Sequence, residues 1–98
     1  MQVEVEPGYE SLFNVLMEAL EQAQHGKGKE RHANGEPFEG QLICRLCRED
    51  GVGFAIGQAK KKATESHRLE GEFGVKELLG GINYLAAAII VKREVKAE

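Results

Sequence analysis

The residues best suited to chemistry lie in one stretch, Gly26-Lys27-Gly28-Lys29-Glu30-Arg31-His32-Ala33-Asn34-Gly35-Glu36-Pro37, the long break between two apolar, helix-patterned regions. It sets three cations and three glycines within twelve residues. A segment of that composition has little apolar surface to bury. It can offer backbone N–H groups and positive side chains to an anion. It is not a P-loop, because the required Gly-x-x-x-x-Gly-Lys-Ser/Thr is absent. Tyr9, where the first helical pattern begins, and Phe13 one turn on supply aromatic faces on which a base could stack. Arg68 and Lys61 form a second basic face, and arginine suits bidentate contact with phosphate. The candidate ligand is the phosphate of a small nucleotide, and the candidate residues are Tyr9, Phe13, Lys27, Lys29, Lys61 and Arg68. The same stretch also reads as a solvated connector and nothing more.

Other chemistries find less support. Cys44 and Cys47 have the spacing of half a zinc site, but a structural zinc needs four ligands, and His25, His32 and His67 show no paired spacing. Both cysteines fall in an apolar helical stretch, where Cys acts as a small hydrophobe. No metal ligand, cofactor or catalytic residue is assigned. The helical nucleoside-triphosphate pyrophosphohydrolases are small and oligomeric, but they hold magnesium with clustered carboxylates. Here Glu18 and Glu21 stand alone, and the last helix adds only Glu77 near its start. No ordered Ser/His/Asp or Cys/His set suggests a nucleophile.

The elements that must position the basic stretch are helical. Leu12, Val15, Leu16, Ala19, Leu20 and Ala23 follow the i, i+3, i+4, i+7 rule and predict a helix over 9–24, closed by Gly26. Residues 1–7 read as a flexible tail. Phe38, Leu42, Ile43, Leu46 and Cys47 predict a short amphipathic helix over 38–48, ended or kinked at Asp50-Gly51-Val52-Gly53. The next helix spans 54–69, with Ile56, Ala59 and Ala63 making a narrow apolar face and the small Gly57, Ala59 and Ala63 allowing close approach. Gly71 and Gly74 bracket a turn before a helix over 75–95. Its Ile82–Val91 segment is apolar nearly all round and must be covered on every side. So few helices cannot cover it, and exposing its second face would cost several kcal/mol at ~25 cal/mol per Å². The expectation is one all-α domain over 1–98. It has three main helices, the second kinked or preceded by a short one, and it assembles as a homo-oligomer with the last helix at its centre.

Composition is that of a globular chain: 42% hydrophobic, 30% charged, net charge −3 over 98 residues. Residues 1–24 carry five Glu and no Lys or Arg, whereas residues 25–68 carry nine Lys/Arg against six Asp/Glu. An acidic protein repels long DNA or RNA duplexes, while a basic middle can still hold a compact anion. The sequence offers no run long enough to span a bilayer and no signal-peptide pattern, so a cytoplasmic protein without a membrane partner is expected.

Taken together, the segments resemble a bacteriophage family. They are Gly-Lys-Gly-Lys-Glu-Arg-His-Ala from Gly26, Pro37-Phe38-Glu39 with Gln41, Gly57-Gln58-Ala59-Lys60-Lys61-Lys62-Ala63-Thr64-Glu65-Ser66, and Glu77-Leu78-Leu79-Gly80-Gly81-Ile82-Asn83-Tyr84-Leu85. Over most of residues 9–92 the chain resembles the small anti-CBASS sponges of the "anti-CBASS protein 2" type. The resemblance implies a compact helical hexamer in the infected bacterial cell. It would sequester cyclic di- and trinucleotide messengers without cleaving them and so block CBASS effector activation. It implies dinucleotide pockets between protomers, with Tyr9 or Phe13 stacking on a base and Lys27 or Lys29 at phosphate. It implies trinucleotide sites at three-fold interfaces read by Arg68. The alternatives are a magnesium-dependent all-α nucleotide pyrophosphohydrolase and a phage protein-interaction module.

Overall fold

The computed structural model describes residues 2–26 and 35–96, with side chains to Glu94. The described residues are all-helical. Helix α1 runs Glu10–His25, a single 3₁₀ turn covers Phe38–Gly40, α2 runs Leu42–Asp50, α3 Gly53–Ser66 and α4 Glu72–Lys96. Of the two forms expected for the middle element, the structure shows the second, a helix preceded by a separate short one. Gly51 adopts φ +90° after Asp50, in the left-handed region that suits glycine, and the chain restarts as α3 two residues later. Gly71, at φ +59°, makes the corresponding turn between α3 and α4.

Gly74 lies inside α4 rather than in that turn. A Cβ there would come 2.8 Å from the Leu69 carbonyl oxygen and 3.0 Å from that of Ser66. The absent side chain lets the first turn of α4 close against the end of α3.

The core sits between α2, α3 and one side of α4. Ile43, Cys44 and Cys47 of α2 meet Ala55 of α3 and Tyr84, Ala87, Ala88 and Val91 of α4. Alanines at 55 and 87, both at 0% exposure, bring α3 and α4 close, and Phe54 packs edge-on against Tyr84 with ring centroids 5.9 Å apart. Arg48 ties α2 to the end of α4: Nε and the NH2 group donate to Glu94 at 2.8 and 2.7 Å, and the NH2 group also donates to the Glu39 carbonyl at 2.6 Å. The bond to Glu94 holds the Arg48 guanidinium above its ordinary value and the Glu94 carboxyl below its own.

Helix α1 stands apart from this core. Ala19 is its one buried residue, and Leu12, Val15, Leu16, Met17 and Leu20 are all exposed. The large apolar side chains left exposed on α4 are Phe73, Leu78, Leu85 and Ile89. The radius of gyration, 14.1 Å, exceeds the about 13 Å of a compact chain of this length, in keeping with an open subunit. The Glu72–Glu94 stretch of α4 is long and apolar enough to cross a membrane, a correction to the sequence reading, which found no such run; 44% of its apolar window is buried inside the subunit.

Candidate functional site

One concavity is a cleft of about 590 Å³ between the C-terminal half of α1, the 3₁₀ turn and the first half of α4. Its α4 wall follows from helical spacing. Phe73, Lys76, Glu77, Gly80 and Tyr84 fall at i, i+3, i+4, i+7 and i+11, on one face, and all line the cleft. From α1 come Glu18, Glu21 and Gln22, and from α3 comes Lys62.

Lys62 is held in place by a glycine. Its stem crosses α4 at Gly80, where a Cβ would lie 2.9 Å from Lys62 Cδ and 3.1 Å from Cε. That route delivers Nζ to Glu77 Oε2 at 3.0 Å, with the lysine side chain 14% exposed and the carboxylate 25%. Helical rotation sends the neighbouring Lys61 outward, where it reaches Glu65 at only 3.9 Å. A pair that open contributes little.

A strut bounds the cleft on its far side. Asn83 Nδ2 donates to the Ala19 carbonyl at 2.9 Å, joining α4 to α1. Beyond it lies a second, apolar groove of about 690 Å³ with Leu16, Leu20, Ile82, Ala86 and Ile90 in its walls. Asn83 lines both.

The residues named from sequence are placed differently. Tyr9 caps the start of α1 and is 58% exposed, while Phe13 is half-buried one turn on. Lys61 and Arg68 are exposed, and neither lines a cavity. Lys27 and Lys29 lie outside the described residues. Tyr9 and Gly26 flank the sixteen residues of α1, about 25 Å apart at 1.5 Å per residue. The structure places neither Tyr9 nor Arg68, assigned from sequence to different sites between subunits, in either of these cavities of the single subunit. It gathers instead Lys62, Lys76, Phe73, Tyr84 and Asn83, none of which sequence reasoning had assigned to a site. The available signal was Gly80-Gly81 in the middle of a long apolar helix, which marks close approach by a neighbour.

The cleft mixes charge. Lys62 and Lys76 can meet an anion, while Glu18, Glu21, Glu72 and Glu77 line the same space. Among the described residues no group of three or more His, Cys, Asp or Glu is arranged to hold a metal ion. No family model, curated protein or solved structure matches this chain.

Proposed function

We propose that this protein is a self-associating sponge that binds cyclic di- and trinucleotides without cleaving them and so keeps a host immune effector from being activated. The observation that carries the reading is the separation of Tyr9 from Gly26 along α1. In the proposed assembly a base stacked on the aromatic of one subunit would meet a cation supplied by a second subunit. The apolar side chains exposed on α1 and α4 supply a reason for subunits to meet. A symmetric assembly repeats each cation, which suits a messenger carrying two or three phosphates. Tyr9 or Phe13 would stack on a base, Lys27 or Lys29 would meet phosphate, and Lys61 and Arg68 would serve sites near a three-fold axis.

The test is a native mass spectrum with and without a mixture of cyclic di- and trinucleotides, followed by calorimetry on variants. Intact ligand bound to an oligomer is expected. Lys27→Ala and Tyr9→Ala should weaken dinucleotide binding, and Arg68→Ala trinucleotide binding, all with assembly retained. Unchanged binding in all three would refute the site assignment.

One observation favours a second reading. Glu18, Glu21, Glu72 and Glu77 line one cleft with Lys62 and Lys76, the residue types a magnesium-dependent nucleotide pyrophosphohydrolase uses, although no three of the described carboxylates are grouped closely enough to hold a metal ion. Pyrophosphate release from a nucleoside triphosphate, dependent on Mg²⁺ and lost in Glu21→Gln, would decide for that enzyme.

A further inference from the structure

From the cleft between α1 and α4 we infer a binding site for a linear aliphatic polyamine, met by the carboxylates of Glu18 and Glu21 and by the ring of Phe73. The inference stands apart from the nucleotide reading, since Tyr9, Phe13, Lys61 and Arg68 do not line this cleft. Its volume, about 590 Å³, is of the scale that holds small molecules in other proteins.

Charge selects the sign of the ligand. Four carboxylates line the cleft against two lysines, a surplus of two negative charges with His25 neutral. Lys62 is answered by Glu77 at 3.0 Å, and Lys76 follows Glu72 at the i, i+4 spacing of one helix face. Among the described residues, neither Glu18 nor Glu21 of α1 makes an ion pair. The two stand at i, i+3, where Cβ atoms lie about 5–6 Å apart and like charges repel. A cation with more than one charged centre relieves both, whereas a phosphate meets the surplus with the wrong sign.

Shape selects the class of cation. Among the described residues, no three acidic, His or Cys side chains are grouped to hold a metal ion. The carboxylates are spread over two helices, α1 and α4, instead of converging on one point. Spread charges suit ammonium groups separated by methylenes. The methylenes also need apolar surface, which an inorganic ion does not, and Phe38, Leu69 and Phe73 line the same cleft. Phe73 is 71% exposed, so its ring is open to a ligand. A ring face attracts an ammonium group that comes within about 6 Å of its centroid.

The experiment is titration calorimetry of spermidine into the full chain at about 0.15 M ionic strength, with no nucleotide present. A failure of nucleotide binding therefore leaves every readout unaffected. Saturable binding of one spermidine per chain is expected, and magnesium chloride at the same ionic strength should neither bind nor displace it. Glu21→Gln should weaken binding about fivefold and Phe73→Leu about threefold, both at exposed positions and with unchanged helical circular dichroism. Glu49→Gln, an exposed carboxylate of α2 outside the cleft, should bind as the wild type does. If a cleft variant loses helicity, competition between spermidine and magnesium on the wild type decides. Absence of saturable binding, displacement by magnesium at matched ionic strength, full binding in Glu21→Gln or an equal loss in Glu49→Gln would each overturn the inference.

Discussion

Asn83 of α4 donates its side-chain amide to the backbone carbonyl of Ala19, in the middle of α1, at 2.9 Å. Ala19 is also the single buried residue of α1, so contact and polar bond coincide at one point of attachment. Asn83→Ala should loosen α1 and leave α2, α3 and α4 intact. The expected cost is about 1 kcal/mol in denaturant unfolding. Amide exchange should accelerate in residues 10–25 and stay unchanged at Ala87 and Val91. Uniform acceleration through the chain would show that α1 belongs to the same cooperative unit as the core.

Gly74 should tolerate no side chain. Alanine raises helix propensity by about 1 kcal/mol at an ordinary position. Here its Cβ would meet the carbonyl oxygens of Leu69 and Ser66 at 2.8 and 3.0 Å, and backbone cannot swing aside as a lysine tip can. Gly74→Ala is expected to lose about 1–3 kcal/mol, measured by thermal or urea unfolding. An increase in stability would mean that the α3–α4 corner relaxes freely.

Gly80 offers the opposite case, because the atoms over it belong to the flexible stem of Lys62. Gly80→Ala should gain helix propensity and lose the Lys62–Glu77 bond, leaving overall stability within about 1 kcal/mol of wild type. The informative measurement is a double-mutant cycle with Glu77→Gln. That substitution should destabilise the wild type and have almost no effect in Gly80→Ala. Equal effects in both backgrounds would show that Lys62 reaches Glu77 by another route.

The Arg48–Glu94 tie should give stability a pH dependence of definite sign. Its hydrogen bonds lower the Glu94 carboxyl below the ordinary value of 4.5 in the folded chain. The stabilisation is therefore present above about pH 4.5 and is lost as pH falls through the lower folded value. Glu94→Gln should unfold at a slightly lower temperature than wild type at pH 7, and the two curves should converge as the pH falls below 4.5 and Glu94 is protonated in the folded chain. A gap that persists in acid would assign the effect to packing.

The helices were legible because periodicity fixes faces. Leu12, Leu16, Ala19, Leu20 and Ala23 announce α1 to within a residue of either end, and Asp50-Gly51 announces the break after α2. Periodicity does not say which face meets which neighbour. The α4 segment apolar all round draws α2 and α3 onto its Tyr84, Ala87, Ala88 and Val91 side, while the equally regular stripe of α1 keeps most of its leucines in solvent. The cleft was hidden for the same reason. Lys60, Lys61 and Lys62 look equivalent as a run, and only the 100° turn between successive residues, set against Gly80, selects Lys62.

The two thiols of α2 have a practical use. Cys44 and Cys47 are the chain's whole complement of cysteine; each is within 1% of complete enclosure, and burial pushes both thiols above their ordinary value. An alkylating reagent can reach neither until the α2–α3–α4 interior comes apart, since thiolate is the reactive form. The rate at which label appears on the unmodified protein is thus a built-in stopwatch for opening of that interior, with no fluorophore or engineered site needed.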